Sequence, residues 1–112
     1  MAVFASRQIV MPVLPIAVTI TGTGNSTYCY AIINGTKQYS AGTHEVNAGD
    51  TITFGVGGNV YGSLTIDGTE VMKVTGGLKT YDWTVLSGIS TIEIAMAWNT
   101  GLQSGKITVT TA

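Results

Sequence analysis

Residues 46–56, VNAGDTITFGV, carry the pattern that decides the fold. After the Gly49-Asp50 reversal, Ile52, Phe54 and Val56 fall on alternate positions, with Thr51 and Thr53 between them. Successive side chains of a strand leave on opposite faces, so this spacing predicts one buried face and one solvated face. A helix would need apolar residues three and four apart, and no segment keeps that period for three turns.

The same alternation extends in both directions. VTIT at 18–21 sets Val18 and Ile20 against Thr19 and Thr21, and KTYDWTV at 79–85 groups Tyr81, Trp83 and Val85. TIEIAMAW at 91–98 aligns Ile92, Ile94, Met96 and Trp98, and KITVTT at 106–111 turns Ile107 and Val109 inward. Both tryptophans are in phase with aliphatic residues, which marks them as core. Predicted strands are 17–22, 27–33, 36–40, 43–47, 50–56, 61–66, 69–75, 79–86, 90–98 and 105–111. Asn34-Gly35 and Asp67-Gly68 are two-residue hairpin signals, because both turn positions require positive φ. GVGGN at 55–59, Gly76-Gly77 and NTG at 99–101 mark further reversals. Short strands at this spacing indicate an all-β antiparallel sandwich of roughly 8–10 strands or a small barrel, and the sandwich is the reading adopted.

An internal echo supports two packed sheets. INGTK, GTHEV and GDTITF are followed in the same order by IDGTE, KTYDW and GISTIEI, at an offset that drifts from 33 to about 40 residues. Each half reads as strand, Asn-Gly or Asp-Gly turn, strand, loop, strand, glycine turn, strand. The strands at 17–22 and 105–111 flank the two copies.

Composition narrows the function classes. The 112 residues carry a net charge of −1 and only five Lys and Arg, so there is no basic face for nucleic acid and no patch for anionic membrane. Charged residues make up 10% and apolar residues 45% of the chain. Such a surface is either coated in Thr, Ser, Asn and Gly or partly covered in an assembly. The single cysteine, Cys29, excludes an internal disulfide and a cysteine-based zinc site, and in TYCYAII it reads as an ordinary strand residue.

Residues 1–16 stand apart from the rest, and the domain reading is an extended arm at 1–16 followed by the sandwich at 17–112. Twelve of the first 17 residues are apolar, and Pro12 and Pro15 interrupt the run. A secretory signal would place its basic residue before an unbroken apolar core, whereas Arg7 comes after apolar residues rather than before them. A membrane helix would need about 20 uninterrupted apolar residues, and proline disfavours a helix here. What remains is an arm, either folded back on its own sandwich or docked on a neighbouring subunit. The docked form makes Phe4, Ile9, Val10, Met11 and Leu14 the anchoring residues, with Arg7 pairing to an acidic neighbour.

No catalytic constellation is visible, and no cofactor is expected. His44 and Glu45 are adjacent on a predicted strand and point to opposite faces, so they form no dyad, and no GxSxG elbow is present. His44 reads as an exposed strand residue. Asp50, Asp67 and Asp82 are too dispersed for a calcium loop. GVGGN lacks the strand-to-helix context of a phosphate loop, and the NST and NGT triplets at Asn25 and Asn34 match the glycosylation pattern. Among the aromatic residues, Tyr61, beside the glycine-rich loop, is the candidate for stacking on a surface glycan.

VTITGTG, INGTK, VNAGDTITF, TIDGTEV and GKITVTT together give the segment from about residue 18 onward a resemblance to bacterial and phage immunoglobulin-like domains. EVNAGDTITF in particular is similar to a hairpin common in such domains, while the Cys-Trp-Cys spacing of antibody domains is missing. A small, nearly neutral domain of this kind with a leading arm resembles virion accessory proteins of tailed phages, above all capsid decoration proteins. That resemblance implies a non-enzymatic structural protein of the virion, assembled in the host cytoplasm. It would be held to the major capsid or another virion protein by its arm and by contacts between its own copies. The alternatives are a carbohydrate-binding or adhesin module and a tail or baseplate component.

Overall fold

The computed structural model describes residues 15–97 and 105–112, and these contain ten strands and no helix. The strands are β1 (Ile16–Thr23), β2 (Cys29–Ile33), β3 (Thr36–Gln38), β4 (Ser40–Val46), β5 (Thr51–Gly57), β6 (Tyr61–Ile66), β7 (Thr69–Val74), β8 (Leu78–Thr84), β9 (Ser90–Ala97) and β10 (Gly105–Thr111). They form two antiparallel sheets, ordered β4-β1-β10-β9-β6-β7 and β3-β2-β5-β8. The expected all-β sandwich is what forms.

Alternation fills the space between the sheets. Val18 and Ile20, Ile52, Phe54 and Val56, Ile92 and Ile94, and Ile107 and Val109 are all buried in one cluster. Phe54 and Trp83 meet across the β5–β8 pair with ring centroids 6.4 Å apart at 43°. Trp83 is therefore core, as its phase predicts, while Trp98 lies outside the described residues. Each apolar strand face is removed from water by the opposite sheet, which is the dominant stabilising term in such an arrangement.

The two hairpin turns have the required backbone. Asn34 and Gly35 adopt φ of 52° and 80°, and Asp67 and Gly68 adopt 49° and 85°. The first closes β2–β3 and the second β6–β7. In the smaller sheet the order β3-β2-β5 joins the first hairpin to the last strand of its half. In the larger sheet β7-β6-β9 does the same for the second. The third strand of each half crosses over: β4 edges the six-stranded sheet and β8 edges the four-stranded one. The sequence echo is thus a structural pseudo-repeat, with β1 and β10 inserted between β4 and β9.

Several strand boundaries differ from the sequence reading, three of them for local reasons. β2 starts at Cys29, because the Asn25 side chain accepts hydrogen bonds from the Thr27 and Tyr28 amides at 2.7 and 3.2 Å and holds a turn there. The strand expected at 36–40 ends at Gln38, and β4 begins at Ser40, earlier than expected. Between them the chain changes sheet at Tyr39, whose carbonyl accepts from the Gly24 amide at 2.7 Å.

One aromatic residue is buried on the solvent side of the smaller sheet. Tyr30 alternates with the inward Cys29 and Ala31, yet is only 4% exposed. Its ring lies over Gly55, its cross-strand partner on β5, where any Cβ would collide with the ring atoms. Lys37 closes the other side, with Nζ 4.4 Å from the ring centroid. Gly55→Val is therefore expected to cost about 1–3 kcal/mol by overpacking. In the double variant with Tyr30→Ala, the two losses should fall short of additive, because the ring that clashes is gone. Urea unfolding of the four proteins measures this cycle; additivity within about 0.3 kcal/mol would show that ring and glycine are uncoupled.

Candidate functional site

The hydrogen bonds between loops divide the sandwich into two ends. At one end the Asn34 side-chain amide donates to the Glu45 carbonyl at 3.0 Å, and Glu45 faces Ala17 across the β1–β4 pair. Ala17 and Ala112 exchange backbone hydrogen bonds of 3.0 Å. The Gly49 amide donates to the Val85 carbonyl at 2.8 Å, and the Asp67 amide donates to the Thr91 carbonyl at 2.8 Å. This end therefore gathers both hairpin turns, the 47–50 turn, the 85–89 loop and the point where Pro15 leads into β1. At the opposite end lie the glycine-rich segments, tied by Gly57 to Tyr28 and Gly58 to Gly77.

The 85–89 loop carries the most exposed large apolar side chains of the described residues. Leu86 is 58% and Ile89 77% exposed, whereas Val85 beside them is buried in the core. Isolated exposed apolar residues are ordinary. Two on one loop, at the end where Pro15 leads into β1, are the described large apolar side chains most open to an outside contact.

The same end leads to an open sheet edge. β8 is seven residues long and pairs with β5 through an unbroken register from Thr51↔Thr84 to Gly57↔Leu78. The other edges are interrupted or short: β7 contains a bulge at Val71, the β1–β4 register shifts between Ile20 and Thr23, and β3 has three residues. Such features blunt edge-to-edge pairing. On β8, the Val85 amide donates to the Asp50 carbonyl and the Gly77 carbonyl accepts from Gly58, so odd positions face β5. By alternation, Leu78, Thr80, Asp82 and Thr84 direct their amides and carbonyls to the open side.

The chemistry-bearing side chains are dispersed. Cys29 is buried, its thiol donates to the Ile94 carbonyl at 3.7 Å, and burial pushes its pKa up to about 11 against the opposing backbone hydrogen bonds of Ile107 and Asn25. A thiol held protonated in this way is a packing residue and a poor nucleophile. His44 is half-buried on β4, more covered than the exposed position expected, and it faces Val18 in the register. Asp50 accepts from the Asn47 amide at 2.9 Å, Asp67 from the Thr91 amide at 2.8 Å and Asp82 from the Thr53 hydroxyl at 2.7 Å. Each aspartate is thus engaged in a separate turn or strand contact, and the described residues hold no group of three His, Cys, Asp or Glu able to share a metal. No helix among them is long and apolar enough to cross a membrane.

Of the residues singled out from the sequence, Phe4, Arg7, Ile9, Val10, Met11 and Leu14 lie outside the described residues. Tyr61 is half-buried at the start of β6 and lines a groove of about 390 Å³ with Val60, Ser63, Glu70, Lys73 and Thr75. Sequence reasoning missed Leu86 and Ile89: Leu86 is the last residue of the strand predicted at 79–86, which ends at Thr84, and Ile89 falls between two predicted strands, where period-two alternation carries no information. Compared with protein-family models, curated proteins and solved structures, the chain matches none.

Proposed function

We propose that this chain is a non-enzymatic assembly module, a structural component of a virion that decorates and stabilises the capsid. The segment 1–14 fastens it to the shell protein, and contacts between its copies reinforce the lattice. The observation that carries the reading is the concentration of adhesive features at one end. Pro15, Leu86, Ile89 and the end of β8 lie there together, and the segment preceding Pro15 supplies Phe4, Ile9, Val10, Met11 and Leu14. Burying large apolar side chains of this kind contributes about 1.5–3 kcal/mol each, before ordering costs are subtracted. Arg7, the one charge of the segment, pairs with an acidic group on the neighbour. The flanks differ in character: the outer face of the larger sheet presents Thr43, Thr19, Thr110 and Thr91 side by side on four strands. That face is polar, with few charges beyond the Lys106–Glu93 ion pair at 3.9 Å and the β6–β7 hairpin, and it suits a domain held at one end and displayed to water along its sides.

Removing residues 1–14 tests the reading. The full chain is expected to self-associate when concentrated, and the truncated chain to sediment as a monomer with the same β-rich circular dichroism and cooperative unfolding. A truncated chain that unfolds would assign the segment to the domain's own core. A full chain that stays monomeric at every concentration would remove the support from copy-to-copy contacts.

A further inference from the structure

The geometry points to a binding site for a neutral pyranose sugar in the groove on the outer face of the β6–β7 hairpin, formed by Tyr61, Ser63, Glu70, Lys73 and Thr75. This site lies beyond the assembly role and does not rest on it. It begins at Tyr61 near the glycine-rich end and runs along the hairpin to Glu70, two residues beyond the Asp67-Gly68 turn.

Its composition follows from the register. On β6, Gly62 and Leu64 are buried, so Tyr61, Ser63 and Thr65 leave on the outer face. Ser63 faces Lys73 on β7, so the two side chains leave on the same face. An uninterrupted hairpin continuing from the Leu64↔Met72 pair would set Val71 opposite Thr65 and turn Glu70 toward the other face. The bulge at Val71 instead sets Glu70 opposite Thr65. Bulges of this kind re-aim a side chain, and here one brings a carboxylate onto the same face as the lysine.

These groups are available to a ligand. Among the described residues neither Glu70 nor Lys73 takes part in an ion pair or a side-chain hydrogen bond, in contrast to Lys106 and Glu93 on the same sheet at 3.9 Å. The carboxylate can accept from two vicinal hydroxyls, the ammonium and the serine hydroxyl can donate to ring or hydroxyl oxygens, and the tyrosine offers an apolar face with a polar tip. The groove volume of about 390 Å³ lies within the usual range for small-ligand sites. One negative and one positive group offset each other, so the site favours a neutral polyol over a phosphate or a carboxylate sugar. A pyranose has what the lining needs: an apolar C–H face and a rim of hydroxyls that both donate and accept.

Titration of the full chain with methyl α-D-mannopyranoside, methyl β-D-galactopyranoside and methyl β-D-glucopyranoside, read by amide chemical shifts, tests the assignment. At least one should saturate with a Kd in about the millimolar range, moving the amides of 61–63 and 70–75. Tyr61→Ala should weaken it about tenfold or more. The exposed substitution Glu70→Gln should weaken it too while leaving the rest of the spectrum in place, and Thr19→Ala on the same sheet should leave it unchanged. The assignment is overturned if none of the three sugars moves these amides, or if binding survives both Tyr61→Ala and Glu70→Gln. A sialylated probe that binds more tightly than all three, and tighter still to Glu70→Gln, overturns the neutral class.

Discussion

Phe54→Ala is expected to destabilise the fold by about 3–5 kcal/mol, a large share of the 5–15 kcal/mol that domains of this size possess. Phe54 is fully buried on β5, a central strand of the four-stranded sheet, and its ring meets that of Trp83. Its cross-strand neighbour on β2 is Ala31, whose methyl group cannot swing into the vacated space, and Tyr81 on the other side is anchored in β8. A site that cannot collapse keeps its cavity, and the cost lies toward the upper part of the range. The midpoint of urea unfolding should fall with an unchanged slope, since the area exposed on unfolding hardly changes. Phe54→Leu keeps most of the volume and should lose less than half as much. A loss below about 1 kcal/mol for the alanine variant would mean that the sheets do not close around this ring.

Phe54 also shows why so much of the fold is legible in the chain. Period two separates Ile52, Phe54 and Val56 from the threonines between them. The positive φ demanded by Asn34-Gly35 and Asp67-Gly68 fixes two hairpins independently of any packing. Sheet membership is another matter. Alternation says which face of a strand is buried and nothing about which strand lies beside it. The crossings of β4 and β8 to opposite sheets are therefore invisible until Tyr39 and Gly77 are seen hydrogen-bonded across the ends. The drift of the internal echo has its source in the same place: β3 has three residues and β7 six, and the links to β4 and β8 differ in length as well. Tyr30 is buried on a face that alternation assigns to solvent, because a glycine on the neighbouring strand opens a slot for the ring. Nothing in the one-dimensional pattern pairs residue 30 with residue 55. The groove at Tyr61 depends on the bulge at Val71, which no turn residue announces. Tyr61 itself could be named from its place beside a glycine-rich loop; Glu70 and Lys73 could not.

The substitution pair Leu86→Asp and Ile89→Asp should abolish self-association while leaving the domain folded. Both side chains already face water, so their replacement is expected to change unfolding free energy by no more than about 0.5 kcal/mol. If they form the adhesive surface, two carboxylates would have to be desolvated against an apolar partner, and the association constant should fall by a factor of about one hundred or more. Thr80→Pro separates this surface from the β8 edge. The amide of Thr80 is directed to the open side of β8, where proline removes a donor that the sandwich itself does not use. If neighbours join by adding a strand to that edge, Thr80→Pro should weaken association as much as the aspartate pair does. If the loop alone makes the contact, Thr80→Pro should associate like the parent. Equilibrium sedimentation of the three proteins distinguishes these outcomes, and unchanged association in both variants would rule out this end of the sandwich as the place where copies meet.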